Sequence, residues 1–338
     1  MAVECRRTDC TGAREMTKSC CIGIDLGGTF IKFGLLDANR QPSEVFQLPT
    51  PRDGGMDGVI EQMIAGARQA MADAGLTRDE IVGVGIGSPG PLSMSKGIVY
   101  ATPNIPGMVN VPMRARISEG LGIPAALEND ANAAAYGEYL CGAGRDCSTM
   151  VLLTLGTGLG GGIILDGKIV HGAHEIGAEL GHMMIVPGGE ECGCGQRGCI
   201  EQYCSAAFMS QRAARILQQS RRESSLNDLL AERGEITAKD INEARRAGDD
   251  FAAEVWDEMT RYLALGCVNF SRILDPDRIV LAGGMAGAGD DLLSPVREHY
   301  RALHWSLTEP QTAIVLATLG NDAGVIGAAG VAWLEFGT

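Results

Sequence analysis

The sequence predicts an α/β protein of two similar half-domains with a cleft between them, and three observations carry that expectation. The chain has 338 residues, beyond the usual length of a single domain. A strand, a glycine turn and a second strand follow one another over residues 21–36, and the same order returns over 150–165 as a weak internal echo. Runs with helical apolar spacing lie between and after these units.

Taken in order, residues 21–25 read as a short buried strand closed by glycines, and what precedes them as a loose tail. After Thr29, Ile31, Phe33 and Leu35 alternate with Lys32 and Gly34, so a second strand follows the turn with no helix between. Over 58–74 the apolar positions Val59, Ile60, Met63, Ile64 and Ala67 predict a helix that Gly75 stops. A buried strand is expected over 81–86. Pro89, Pro91, Pro103, Pro106 and Pro112 then predict a long irregular loop region. Residues 124–127 make a strand, and 129–140 a helix capped by Asn129 or Asp130. The second half opens with strands at 150–155 and 163–165 around a glycine turn. Residues 205–270 are mainly helical, 279–281 form a last strand running into Gly283 and Gly284, and 322–334 form a closing helix. The expected division is a tail over 1–20, a first domain over 21–128 with the helix 322–338 packing back on it, and a second domain over 129–321.

Apolar residues make up 45% of the chain and charged residues 21%, ordinary globular usage, while the 47 glycines are about twice the usual share. Lys and Arg number 28 against 42 Asp and Glu, a net charge of −14, so no broad positive field exists for nucleic acid or an anionic membrane. An anionic substrate then needs a local device, such as a metal ion or backbone amides. Residues 1–20 carry Arg6, Arg7, Asp9, Arg14, Glu15 and Lys18 and do not read as a signal peptide. No run reaches 18 apolar residues, which leaves no membrane span. Eleven cysteines without an export signal point to the reducing cytoplasm and to metal binding or plain burial.

The clearest metal signal is His182, Cys192, Cys194 and Cys199, with Gly193, Gly195 and Gly198 between the thiols. One imidazole and three thiolates suit a closed, structural, tetrahedral zinc; the alternative is a set of buried free thiols. Cys204 is a spare donor expected to pack on the following helix. Glu179 and Glu201 flank the cluster, so a metal there holds both carboxylates still.

Asp25-Leu-Gly27-Gly28-Thr29 ends a strand. Its glycines let amides approach phosphate, Thr29 adds a hydroxyl and Asp25 can hold Mg²⁺. The same pattern also suits an ordinary hairpin. Its likeness to Leu155-Gly156-Thr157-Gly158 suggests two facing turns that grip a triphosphate. Gly156-x-Gly158-x-x-Gly161 matches the dinucleotide fingerprint, but residues 163–165 continue as strand where a helix is required. Residues 162–168 have Walker-A spacing, yet Ile169 stands where Ser or Thr is needed. Glu128-Asn129-Asp130-Ala131-Asn132 lies at a strand-to-helix junction. A carboxylate at a helix N-terminus is expected to stay ionised, so Asp130 can accept a hydroxyl proton while Asn129 orients the acceptor; the plainer alternative is an N-cap. His171 and His174 lack metalloprotease spacing and are expected to be loop or surface residues, and the charged run 221–246 a solvated helical face.

Together, Asp25-Leu-Gly-Gly-Thr29, Glu128-Asn-Asp-Ala-Asn-Ala-Ala134, Leu155-Gly-Thr-Gly-Leu-Gly-Gly161, Glu179-Leu-Gly-His182 and Cys192-Gly-Cys-Gly-Gln-Arg-Gly-Cys-Ile-Glu201 resemble the ROK family of sugar kinases and repressors. The resemblance runs from about Cys21 to the C-terminus, and within the family it is closest to the bacterial ATP-dependent glucokinases. It implies an actin-like, RNase H-like pair of α/β domains closing over a cleft. It makes Asp130 the base that takes the proton of a sugar 6-hydroxyl. Gly90, Asn104, Asn129, Glu179, His182 and Glu201 would hold the other hydroxyls, His182 serving zinc as well. Gly27, Gly28, Thr29, Thr157, Gly158, Gly283 and Gly284 would surround Mg·ATP. The implied partners are glucose or a related hexose and ATP, with a homo-oligomer, dimer or tetramer, as the expected assembly. The alternatives are a kinase for N-acetylmannosamine, fructose or allose, a polyphosphate donor, or a sugar-responsive repressor; some twenty polar residues before the first turn are too few for a helix-turn-helix domain. The chain departs from the family pattern at Ala178, where many members have glycine.

Overall fold

The computed structural model describes residues 19–102, 105, 107–220 and 222–337; most of the expected tail, residues 1–18, together with Asn104 and Arg221, lies outside the described residues. The first half comprises β1 (Cys20–Leu26), β2 (Phe30–Asp37), β3 (Phe46–Pro49), α1 (Gly55–Asp73), β4 (Ile81–Ser88), β5 (Leu92–Ser93), β6 (Ile98–Ala101), β7 (Val109–Val111), α2 (Met113–Leu121) and β8 (Ala125–Asn129). It continues into α3 (Asp130–Cys141), β9 (Met150–Leu155), β10 (Leu159–Leu165), β11 (Lys168–Ile169), α4 (Glu201–Cys204), α5 (Ala206–Gln219), α6 (Leu226–Arg233), α7 (Ala238–Arg246), α8 (Asp250–Leu274), β12 (Arg278–Ala282), α9 (Asp290–Leu303), β13 (Ala313–Leu316) and α10 (Ala323–Phe336).

Two five-stranded sheets share one plan. The first runs β3-β2-β1-β4-β8, with β1 antiparallel to β2 and parallel to β4; the second runs β11-β10-β9-β12-β13, with β9 antiparallel to β10 and parallel to β12. The weak internal echo in the sequence is thus a duplicated sheet, the actin-like, RNase H-like architecture. α10 packs on β1, β2 and β4, α3 packs on β9 and β10, and the two helices pack on each other. The order across the middle is therefore sheet, helix, helix, sheet. The contact is backbone-close: a Cβ on Gly85 of β4 would lie 1.7 Å from the Ala328 carbonyl oxygen, so only glycine lets α10 settle there. Val325, Ala328, Ala329 and Ala332 of α10 are essentially inaccessible, and small apolar side chains keep the layers tight.

The proline-rich stretch holds more order than expected. Within it β5, β6 and β7 form a three-stranded sheet in that order, with strands of two to four residues that are too short to show a period. α2 follows directly, with Met113, Ile117 and Leu121 buried at a helical spacing of four. The run at 222–246 is largely exposed, and its arginines pair outward, Arg222 with Glu254 and Arg245 with Asp291. Among the described residues, no helix is long and apolar enough to cross a membrane.

Candidate active site

Between the two sheets lies a cleft of about 1130 Å³, lined by residues of both halves. A pocket for one small ligand rarely exceeds about 1,000 Å³, so this one has room for two. Asp25, Gly90, Asn129, Asp130, Thr157, Gly158, Glu179, His182, Glu201 and Gly283 all line it. Gly27, Gly28, Thr29 and Gly284 are not among its described lining residues. The Gly27 amide donates to the Phe30 carbonyl at 3.0 Å, closing the β1–β2 turn just beyond Asp25.

Asp130 opens α3, and the helix cap is Asn129: its Oδ1 accepts from the amides of Ala131 at 2.9 Å and Asn132 at 3.2 Å. One of the two residues expected to cap is therefore occupied in doing so, which leaves the Asp130 side chain on the cleft. Asp130 Oδ1 accepts the Ala131 amide at 2.9 Å. Burial raises its pKa, and the amides of the first turn pull against that rise without cancelling it. The helix terminus was expected to hold this carboxylate in its ionised form; its amides do lower the pKa, but desolvation raises it by more. Across the cleft floor, burial pushes Asp25 up to about 6, the Lys32 ammonium lowering it and Asp130 raising it.

Lys32 was not singled out in the sequence. It pairs in register with Asp25 across β1 and β2, lines the cleft and donates to the Asn321 carbonyl. A lone lysine on the polar side of an otherwise apolar strand was the available signal. His171, expected as a loop or surface residue, lies in a loop that lines the cleft, with Nε2 2.7 Å from Glu128 Oε2. His174 is exposed in the loop that follows.

On the second half's side, Glu179 precedes a 3₁₀ turn over Leu180–His182, and Glu201 opens α4. Glu201 Oε2 accepts the Leu159 amide at 2.9 Å, which ties the end of the cysteine-rich loop to the glycine turn before β10. His182, Cys192, Cys194 and Cys199 converge, with one donor atom of each within 4.8 Å of all the others. Cys194 Sγ lies 3.7 Å from Cys199 Sγ, and Cys192 Sγ 3.6 Å from His182 Nδ1. Tetrahedral zinc with bonds of about 2.3 Å to sulfur has sulfur–sulfur edges of about 3.8 Å, so the donor set fits that ion. Gly198, at φ 84°, makes the fold-back possible: a Cβ there would lie 1.7 Å from the Val186 carbonyl oxygen. A hydrogen bond from the Gln196 amide lowers the Cys194 thiol, while burial raises Cys192 and Cys199. Cys204 is wholly buried in the core against the Met259 carbonyl and stands outside the donor set.

With this geometry in hand, the comparisons are consistent from end to end. The family model described as ROK family matches residues 21–334. A Glucokinase of Halalkalibacterium halodurans is 36% identical over 307 residues, 90% of this chain and 92% of that protein. The crystal structure of a ROK hexokinase from Thermus thermophilus superposes with a TM-score of 0.80 at 33% identity, covering 94% of this chain and 98% of the other. That of a ROK family glucokinase from Streptomyces griseus in complex with glucose and AMPPNP gives 0.74 at 33%, covering 92% and 98%.

Proposed function

Since the chain belongs to the ROK family, we propose that it is a glucokinase that transfers the γ-phosphate of ATP to the 6-hydroxyl of glucose with Asp130 as general base. It is an ATP-dependent sugar kinase. The observation that carries the reading is that Asp130, at the junction of β8 and α3, lines one cleft with Glu179, His182 and Glu201.

Asn129, Glu179, His182 and Glu201, with Gly90 and Asn104 by family matching, hold the ring hydroxyls of the hexose. Because His182 turns Nδ1 to the thiols, Nε2 is left to carry the proton and donate to a hydroxyl. Zinc on His182, Cys192, Cys194 and Cys199 would supply rigidity, with no coordination position open for chemistry. Thr157, Gly158 and Gly283, with Gly27, Gly28, Thr29 and Gly284 nearby, receive the nucleotide, and Asp25 offers a hard carboxylate to Mg²⁺, which neutralises phosphate charge. As the 6-oxygen bonds to the γ-phosphorus and the bond to the bridging oxygen of ADP breaks, the 6-hydroxyl proton passes to Asp130 and then to solvent. Holding both substrates in line can remove roughly 7–11 kcal/mol of barrier, and the enclosing halves keep out the water that would otherwise take the phosphoryl group. A carboxylate whose pKa burial has raised is a stronger base than a free one, which suits the task.

The nine free cysteines among the described residues favour a reducing compartment, the cytoplasm. The expected homo-oligomer, dimer or tetramer, is tested by sedimentation velocity. The reaction is tested by ADP release with ATP against glucose, mannose, fructose, allose and N-acetylmannosamine, and with polyphosphate as donor. The reading expects the highest kcat/KM for glucose with ATP; a preference for an acetamido sugar would replace glucose as substrate.

A further inference from the structure

One loop joins the two halves of the cleft from within. It leaves β11 at Val170 and closes on itself where the Gly177 amide donates to the His171 carbonyl at 2.9 Å; two residues later it reaches Glu179. Both ends of this closed segment are pinned to the other half. Near its far end, Glu175 Oε2 accepts from Ser93 Oγ at 2.7 Å and Oε1 from the Ser95 amide at 2.9 Å. At its start, His171 Nε2 meets Glu128 Oε2 at 2.7 Å, and the Glu128 side chain is only 2% exposed. The second carboxylate oxygen of Glu128 accepts the Asn129 amide at 2.9 Å and Asn132 Nδ2 at 3.0 Å. Glu128 therefore spends one oxygen on the turn that presents Asn129 and Asp130 and the other on the loop that leads to Glu179.

We propose that His171 is a positioning residue for phosphoryl transfer. Acting through Glu128, it fixes the β8–α3 turn that bears the base against the loop that bears the hydroxyl acceptor, so both meet the hexose in one register. This rests on the hexose-kinase reading of the cleft. The chemistry of the pair supports it. A buried carboxylate with an unfilled oxygen is unfavourable, so without the imidazole Glu128 must move, admit water or take up a proton. Each response disturbs the acceptor that the Asn129 amide and the Asn132 side chain rely on. Asn132 has little in reserve, since its own Oδ1 is buried without a hydrogen-bond partner among the described residues. The pairing also raises the His171 pKa, its hydrogen bond to the Glu128 carboxylate outweighing burial and Glu175 adding to it, while the hydrogen bond that Ser93 donates lowers Glu175, so both pins are charge-assisted.

Steady-state kinetics of the full-length protein test the proposal, using the hexose that the wild type accepts best and ATP. His171→Ala is expected to lower kcat/KM for the hexose by roughly 10–100-fold, the usual effect of removing a group that orients a working side chain, with KM for ATP within about twofold of wild type. Bound zinc and far-ultraviolet circular dichroism should be unchanged. His171→Gln places an amide NH₂ where Nε2 stood and should recover activity to within about threefold of wild type. Should His171→Ala fail to fold, His171→Asn provides the contrast, because its shorter amide falls at the Nδ1 position and cannot reach Glu128. Hexose kcat/KM within twofold of wild type in His171→Ala, or a glutamine variant no better than alanine or asparagine, would overturn the proposal. A wild type that phosphorylates no hexose would instead remove the kinase reading on which it rests.

Discussion

Asp130 is held between two opposed influences, and their balance makes a prediction at the scale of one residue. Burial raises its pKa while the first amides of α3 lower it, and burial prevails. A carboxyl group whose folded pKa exceeds its unfolded value stabilises the fold below the unfolded pKa, and that contribution is lost as pH rises through the folded one. At neutral pH the ionised side chain is therefore a net cost to stability. Asp130→Asn, which keeps an acceptor for the Ala131 amide, should melt at a higher temperature than wild type at pH 7.5 without nucleotide, magnesium or sugar. The gap should close as pH falls below the ordinary carboxylate range; a variant less stable at pH 7.5 would contradict the balance. Ala178 gives a second case. Its φ of 62° lies in the left-handed region, where a Cβ costs roughly 1–2 kcal/mol. Ala178→Gly should stabilise the protein by about 0.5–1 kcal/mol in urea unfolding, the remainder being lost to the freer unfolded chain. The proposed base and the possible metal donors were legible because Asp130 lies in a contiguous motif and His182, Cys192, Cys194 and Cys199 fall within 18 residues of one another. His171 and Glu128 were not, since they meet across a separation of 43 residues that no spacing rule connects.

Among the elements, the thiol loop over 182–199 is where the proposed zinc would add order. It has few buried apolar side chains besides Cys192 and Cys199, and its end, Glu201, holds the glycine turn at Leu159. Zinc contributes on the order of 10 kcal/mol to such a loop. If zinc sits there, removing it with a chelator, or replacing Cys199 with Ser, should lower the melting temperature and raise KM for hexose more than KM for ATP, since His182 belongs to the cluster and Glu179 and Glu201 flank it. Zinc content by atomic absorption, read beside the kinetics, checks this; hexose KM unchanged in a zinc-free protein would contradict it. β1, β2 and α1, through their periods, α3, through its capping residues, and α10, as a long apolar run, were visible in the sequence to within a few residues. β3 and β13, of four residues each, and the strands of the proline-rich segment were not, because so few positions display no alternation. α2 and α9 had signals that went unused: Met113, Ile117 and Leu121 in one, and Leu292, Val296 and Tyr300 in the other, recur every fourth residue.

For the whole molecule, the duplicated sheets and the layers of α3 and α10 between them explain why the working groups come from distant parts of the chain. α3 belongs to both halves: its first residue faces the cleft as Asp130, while its body packs on β9 and β10. That arrangement also answers how a chain with a net charge of −14 receives a polyanion. It needs no positive surface, because glycine turns, Lys32 and a metal held by Asp25 would act locally inside the cleft. The proposed reaction rests on Asp130 receiving a proton from glucose. The direct measurement is the rate of glucose 6-phosphate formation by Asp130→Ala beside wild type, with matched zinc content. Loss of roughly 10²–10⁴-fold in kcat is predicted, the usual weight of a general base; a variant that turns over glucose within tenfold of wild type would contradict it.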